Sequence, residues 1–181
     1  IMLKHFLFFS AVAILAAGCG PEKSQLDLER EQAEARLAQK NSEFAAIEGT
    51  YEGFVSDQGV NLIKLRLTLV KVIEPISPNS QEWVPKLIGK SRMTLVGSSN
   101  EMEAVYFQSI LYNSANGALL MVGSVDSAGA KSLPYNVQAQ VVGDTILGKY
   151  IPPRDFMVDT PQGKKFVSSA DISLTRVDTQ R

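Results

Sequence analysis

Two periodicities divide the chain. From Gln25 to Glu48 the sequence is rich in Ala, Glu, Gln, Leu and Arg and free of glycine and proline, the composition of a helix. Ser24, with Asp27 three residues on, predicts the N-terminal cap, and Gly49 predicts the stop. Such a helix is roughly 36 Å long at about 1.5 Å per residue. Leu26, Ala33, Leu37, Phe44 and Ile47 fall near one face, which makes the helix amphipathic; Arg30 and Lys40 interrupt a strict heptad. The expectation is a helix that docks on its own domain, with a dimerisation stalk as the competing role.

After Gly49 the pattern alternates with period two and predicts eight strands: 50–55, 61–73, 86–97, 103–112, 118–125, 134–142, 145–151 and 165–177. Asn116-Gly117 and Gly143-Asp144 read as hairpin turns. A proline-bearing loop over 74–85 carries the only tryptophan, Trp83, and a second long loop covers 152–164. Hairpin-length connections without crossover helices predict a mostly β domain: an antiparallel eight-stranded up-and-down barrel over 49–181, preceded by the one N-terminal helix at 25–48. In that meander the loops after strands two, four and six share one end with the helix. Two of these are tight hairpins, so that end should be closed. The loops at 126–133 and 152–164 mark the natural mouth at the other end.

An eight-stranded barrel either fills itself with side chains or holds one small ligand. The expected register points Tyr51, Leu65, Leu67, Met93, Tyr106, Tyr135, Val137 and Leu147 inward, with Gly53, Gly89, Ala104, Ala139 and Ala170 among them leaving room. A slip of one residue would turn each set outward. Leu67, Met93, Tyr106 and Tyr135 are the candidate pocket lining for an apolar small molecule. Both the pocket and the filled core stay open. The fourth and fifth strands are apolar on both faces, and the Leu37/Phe44/Ile47 side of the helix is the nearest candidate cover; a partner protein is the alternative. Trp83 is a candidate partner contact.

Chemistry is bounded by absences in the sequence. The single histidine is His5 and the single cysteine is Cys19. A Ser-His-Asp triad, a Cys-His pair or a zinc site on such ligands cannot be built once the N-terminal segment is removed, and no disulfide can form. No phosphate-cradling glycine motif occurs. The carboxylates of Glu101, Glu103, Asp155 and Asp159 read as solvated loop charges. A non-enzymatic protein without metal or cofactor is expected. Residues 1–18 hold one of the 18 Lys+Arg and no acid; the remaining 163 residues carry 17 basic against 19 acidic side chains, a net charge of −2. That balance offers no basic field for nucleic acid.

The N-terminal segment explains where Cys19 stands. Lys4 and His5 precede a twelve-residue apolar run, Phe6 to Ala17, too short to span a bilayer, which takes about 20 apolar residues. The run ends in Leu15-Ala16-Ala17-Gly18-Cys19, which resembles the lipobox of bacterial lipoproteins. The resemblance implies a signal peptide over 1–18, acylation of Cys19 (palmitate among the chains), a tether over 19–24, and a protein hung from a membrane. Gly20, where the family places an aspartate for inner-membrane retention, implies the outer membrane, on its periplasmic face or at the cell surface. Gly49-Thr50-Tyr51 at the first strand, with Arg176 near the end of the last, resembles the Gly-x-Trp signature of lipocalins and their calycin relatives, tyrosine standing in for tryptophan. It implies a calycin-like barrel with the arginine over the aromatic ring. The function expected is a lipid-anchored envelope lipoprotein with a non-catalytic binding barrel for an apolar small molecule. The alternative is a solid-core scaffolding lipoprotein of envelope assembly, acting through the helix and strands 104–125.

Overall fold

A computed structural model describes residues 24–102, 104–125, 134–154, 156–160 and 163–177. The lipobox and Cys19 lie outside them, as does the 126–133 loop. The chain divides between Arg36 and Leu37 into two units.

Helix α1 (Gln25–Ile47) starts as its sequence dictates. The Asp27 amide donates to Ser24 Oγ at 3.2 Å and the Ser24 amide donates to Asp27 Oδ2 at 3.3 Å, a reciprocal cap. Its first turns are held by pairs four residues apart, Gln25–Glu29 and Arg30–Glu34. Leu26 and Ala33, expected on an apolar face, are exposed. Burial begins at Leu37, half-buried, and is complete only at Phe44 and Ile47.

The remaining elements are β1 (Gly49–Asp57), β2 (Val60–Pro75), β3 (Trp83–Leu95), β4 (Val105–Asn113), β5 (Ala118–Val125), β6 (Tyr135–Val142), β7 (Thr145–Ile151), β8 (Met157–Thr160), β9 (Gly163–Phe166) and β10 (Ala170–Val177). Eight of them close into an antiparallel barrel in the order β1-β10-β7-β6-β5-β4-β3-β2. β1 pairs with β2 on one side and β10 on the other, which removes both sheet edges. Closure needs close approach at Gly53, where a methyl group would overlap the Ser173 carbonyl. Gly117 and Gly143 take positive φ in the two predicted hairpin turns.

Three expectations are corrected. The 152–164 segment is not a plain loop: β8 and β9 form a separate two-stranded hairpin, and the last barrel strand begins at Ala170 rather than Lys165. Trp83 is not in a loop but opens β3, paired with Pro75, so the connection shrinks to 76–82. Leu37, Phe44 and Ile47 do not cover the outer face of β4 and β5, since Leu111 is 65% and Leu120 37% exposed there. Phe44 and Ile47 join the core instead, at the barrel end where α1 meets β1.

Candidate functional site

The end of the barrel that α1 enters is closed by a lock of polar groups around Tyr51. Tyr51 is fully buried, and its hydroxyl donates to the Ile47 carbonyl at 2.9 Å. Arg176 comes from the last strand, opposite Tyr51 in the β1–β10 register. Its guanidinium lies 5.2 Å from the Tyr51 ring centroid, and Nη2 donates to the Ala46 carbonyl and, at 2.7 Å, to the Tyr51 hydroxyl. Nε stands 3.5 Å from the Asp144 carboxylate, an ion-pair distance without hydrogen-bond alignment. Burial pushes the Tyr51 hydroxyl up from its ordinary pKa, against the opposing pull of the Arg176 hydrogen bond. The last turn of α1 has orphan carbonyls, and Arg176 and Tyr51 satisfy two of them. Arg176→Met keeps the length and removes both donations; it is expected to cost about 2 kcal/mol, read as a lowered Tm, and an unchanged Tm would show that the lock is ornamental.

The interior is built by residues of alternating parity from every strand. Leu67 is fully buried, Met93 is 1% exposed and Tyr135 is 9% exposed, so three of the four candidate lining residues face the core. They meet other side chains there. Tyr150 Oη donates to Met93 Sδ at 3.2 Å, and burial pushes that hydroxyl well above its ordinary pKa. Gly89, expected to leave room, does not: a Cβ on it would meet Leu69 Cδ2 at 3.2 Å and both Ile110 Cδ1 and Phe107 Cβ at 3.3 Å.

Tyr106 is the exception. It pairs with Lys90 on the outside of the wall, with the ammonium 5.0 Å from its ring centroid. The cause is a bulge in β4 between Phe107 and Ser109, which changes parity: Val105 and Phe107 point inward before it and Ile110 after it. Leu147 also faces outward, at 44% exposure, since its neighbours Gln140 and Ser173 lie on the outer face while Ile146 and Tyr150 take the interior. Ala104 precedes β4 and is half-buried.

The expected mouth is occupied. Val158 of β8 and Val167, just past β9, are buried in the same core cluster. Phe156 packs edge-on against Tyr135, with centroids 6.1 Å apart, and Tyr135 in turn meets Tyr150 at 6.0 Å. Lys165 Nζ is 2.7 Å from Asp57 Oδ2, tying the hairpin to the end of β1.

Two hollows open at the barrel wall among the described residues. The larger, about 620 Å³, runs between the exposed Leu111, Leu120 and Leu147 over β4 to β7, with Gln138 and Gln140 beside them. The smaller, about 440 Å³, lies where β3 and β4 part, between Lys86, Ile88 and Gly89 of β3 and Tyr106, Phe107 and Gln108 of β4. On the β2–β3 wall Arg66 and Arg92 face each other, each drawn aside by an acid: Glu52 at 3.3 Å and Glu101 at 3.8 Å. These are exposed pairs of little energetic weight. Among the described residues no three His, Cys, Asp or Glu converge on a metal position, and no helix is long and apolar enough to cross a membrane. Glu101 and Asp159 are exposed on the surface, whereas Glu103 and Asp155 lie outside the described residues.

No family model, curated protein or solved structure matches the chain.

Proposed function

We propose that the chain is a lipid-anchored, non-catalytic protein of a bacterial envelope, tethered to the outer membrane through acylated Cys19. Its barrel is a filled scaffold that works from its outer surface and carries no apolar molecule inside. The observation that carries this choice between the two expected functions is the space at Gly89. The inward glycine that should have opened a cavity is in contact distance of Leu69, Phe107 and Ile110. A ligand chain finds no room on the inner side of Gly89, where these three side chains converge. The plug of Phe156, Val158 and Val167 supports the same reading at the opposite end.

The working surface is then the outer wall of β4 to β7. Leu111, Leu120 and Leu147 stay exposed around the larger hollow, and Leu37, Phe44 and Ile47 do not cover them. Contiguous apolar side chains on a wall are the mark of an interaction surface, and an envelope protein is the partner proposed for it.

Titration of the Cys19→Ala protein with fatty acids of increasing length tests the choice. A carrier would gain about 0.8 kcal/mol per buried methylene, so its affinity would climb steeply with length. The filled barrel predicts no length-dependent binding below micelle formation. Saturable binding that tightens with each added methylene, and is lost in Leu67→Trp, would return the protein to the carrier reading.

A further inference from the structure

The β2–β3 hairpin extends past both neighbours. β1 starts opposite Leu69 and β3 pairs with β4 no further than Gly89, which leaves six cross-strand pairs, Val70–Ile88 to Pro75–Trp83, as a two-stranded arm at the end where α1 joins the barrel. The base of the arm is packed, with Leu87 fully buried. Its tip is not: Ile73 is 58%, Ile76 56% and Trp83 58% exposed. Alternate residues share a face of a strand, so Ile73 and Pro75 lie on the same face as their partners Pro85 and Trp83.

The arm is unsuited to pairing with another strand. The Lys71 amide points away from β3 and donates to Glu48 Oε1 at 3.0 Å, so Ile73 and Pro75 point to that same free edge and Pro85, opposite Ile73, points to the other. Each free edge therefore carries a proline with no N–H to donate, a device that blocks strand addition. The tip is also too small to hold a protein by itself. Three half-exposed side chains fall well short of the roughly 800 Å² a side that a stable protein interface buries. A bilayer sets no such threshold. Indole combines an apolar body with an N–H donor and settles at the level of the lipid headgroups.

We propose that the Ile73/Ile76/Trp83 tip seats in the interfacial layer of the lipid bilayer, as a second, non-covalent contact of the barrel with its membrane. The inference rests on the lipid-anchored reading: a barrel already held at the surface meets the bilayer at high local concentration, where a shallow, weak insertion suffices.

Trp83 is the only tryptophan, so its fluorescence reports on the tip alone. The chain from residue 19 carrying Cys19→Ala is titrated with mixed phosphatidylethanolamine–phosphatidylglycerol vesicles. The expected result is a blue-shifted emission that lipids brominated near the headgroup end of the acyl chain quench. Ile73→Asp with Ile76→Asp, checked for a native circular dichroism spectrum, should raise the lipid concentration for half-binding at least about tenfold. Emission that stays unshifted, a shift that survives in the double variant, or a shift that follows protein concentration without lipid would each overturn the proposal, the last in favour of self-association. Acyl labelling of Cys19 in the wild-type protein is read separately. Labelled Cys19 with an unshifted Trp83 discards the tip contact and keeps the anchor; unlabelled Cys19 discards the anchor whatever Trp83 does.

Discussion

Gly89→Leu is expected to destabilise the barrel by roughly 3 kcal/mol, lowering Tm by roughly 6–12 °C for a chain of this size. A bare Cβ at this position already stands 3.2–3.3 Å from Leu69, Ile110 and Phe107, and leucine adds three further carbons beyond it. Phe107 Cβ is fixed by the backbone of β4 and cannot swing away, so the wall itself must move. Gly89→Ala is the control. Its single methyl presses on the flexible ends of Leu69 and Ile110 and sits 3.3 Å from Phe107 Cβ, a shortfall of a few tenths of an ångström; the loss of chain entropy in the unfolded state partly offsets that pressure, so the net change should stay within about 1 kcal/mol. A leucine variant that melts with the wild type would show a void beside Gly89 and revive the internal pocket.

The architecture was legible in the sequence wherever one face of an element is polar and the other apolar. β2 reads Ile63, Leu65, Leu67, Leu69 inward against Lys64, Arg66 and Thr68, and its register came out as the alternation demands. The cap at Ser24 and the turns at Gly117 and Gly143 followed from local signals of the same kind. Parity failed where the pattern carries no information. In β4, Val105, Tyr106 and Phe107 are all apolar enough for either face, and the bulge after Phe107 means that no single register describes the strand. In β7 the adjacent Ile146 and Leu147 leave the same ambiguity, settled only by the polar neighbours that Leu147 meets in β6 and β10.

The site was harder to read than the fold because its deciding property is a volume. Small residues along a strand look like room in one dimension. Whether they leave room depends on which side chains converge from other strands, as Leu69, Phe107 and Ile110 do on Gly89. The plug of the distal end was hidden in two four-residue strands, β8 and β9, too short to alternate recognisably within a proline-bearing segment. The arm is hidden in the sequence for a related reason: Pro75 and Pro85 signal a loop, whereas they occupy strand positions at free edges where a missing N–H costs nothing.

The anchor carries the whole account, and it is tested by one substitution. On the lipid-anchored reading proposed above, acyl chains on Cys19 supply nearly all of the attachment of a chain whose net charge is −2 after residue 18. At about 0.8 kcal/mol per buried methylene, two or three chains hold a protein stably where one chain holds it only marginally. The tip contact proposed for Trp83 is shallow by comparison and should not survive washing. Cells expressing wild-type protein and Cys19→Ala are labelled with an alkyne-bearing palmitate analogue, and their membranes are washed with carbonate. Wild type should carry the label and remain in the membrane fraction; Cys19→Ala should carry none and appear in the supernatant, folded. A Cys19→Ala protein that stays with the carbonate-washed membrane, or a wild-type protein that never takes up label, would contradict the account.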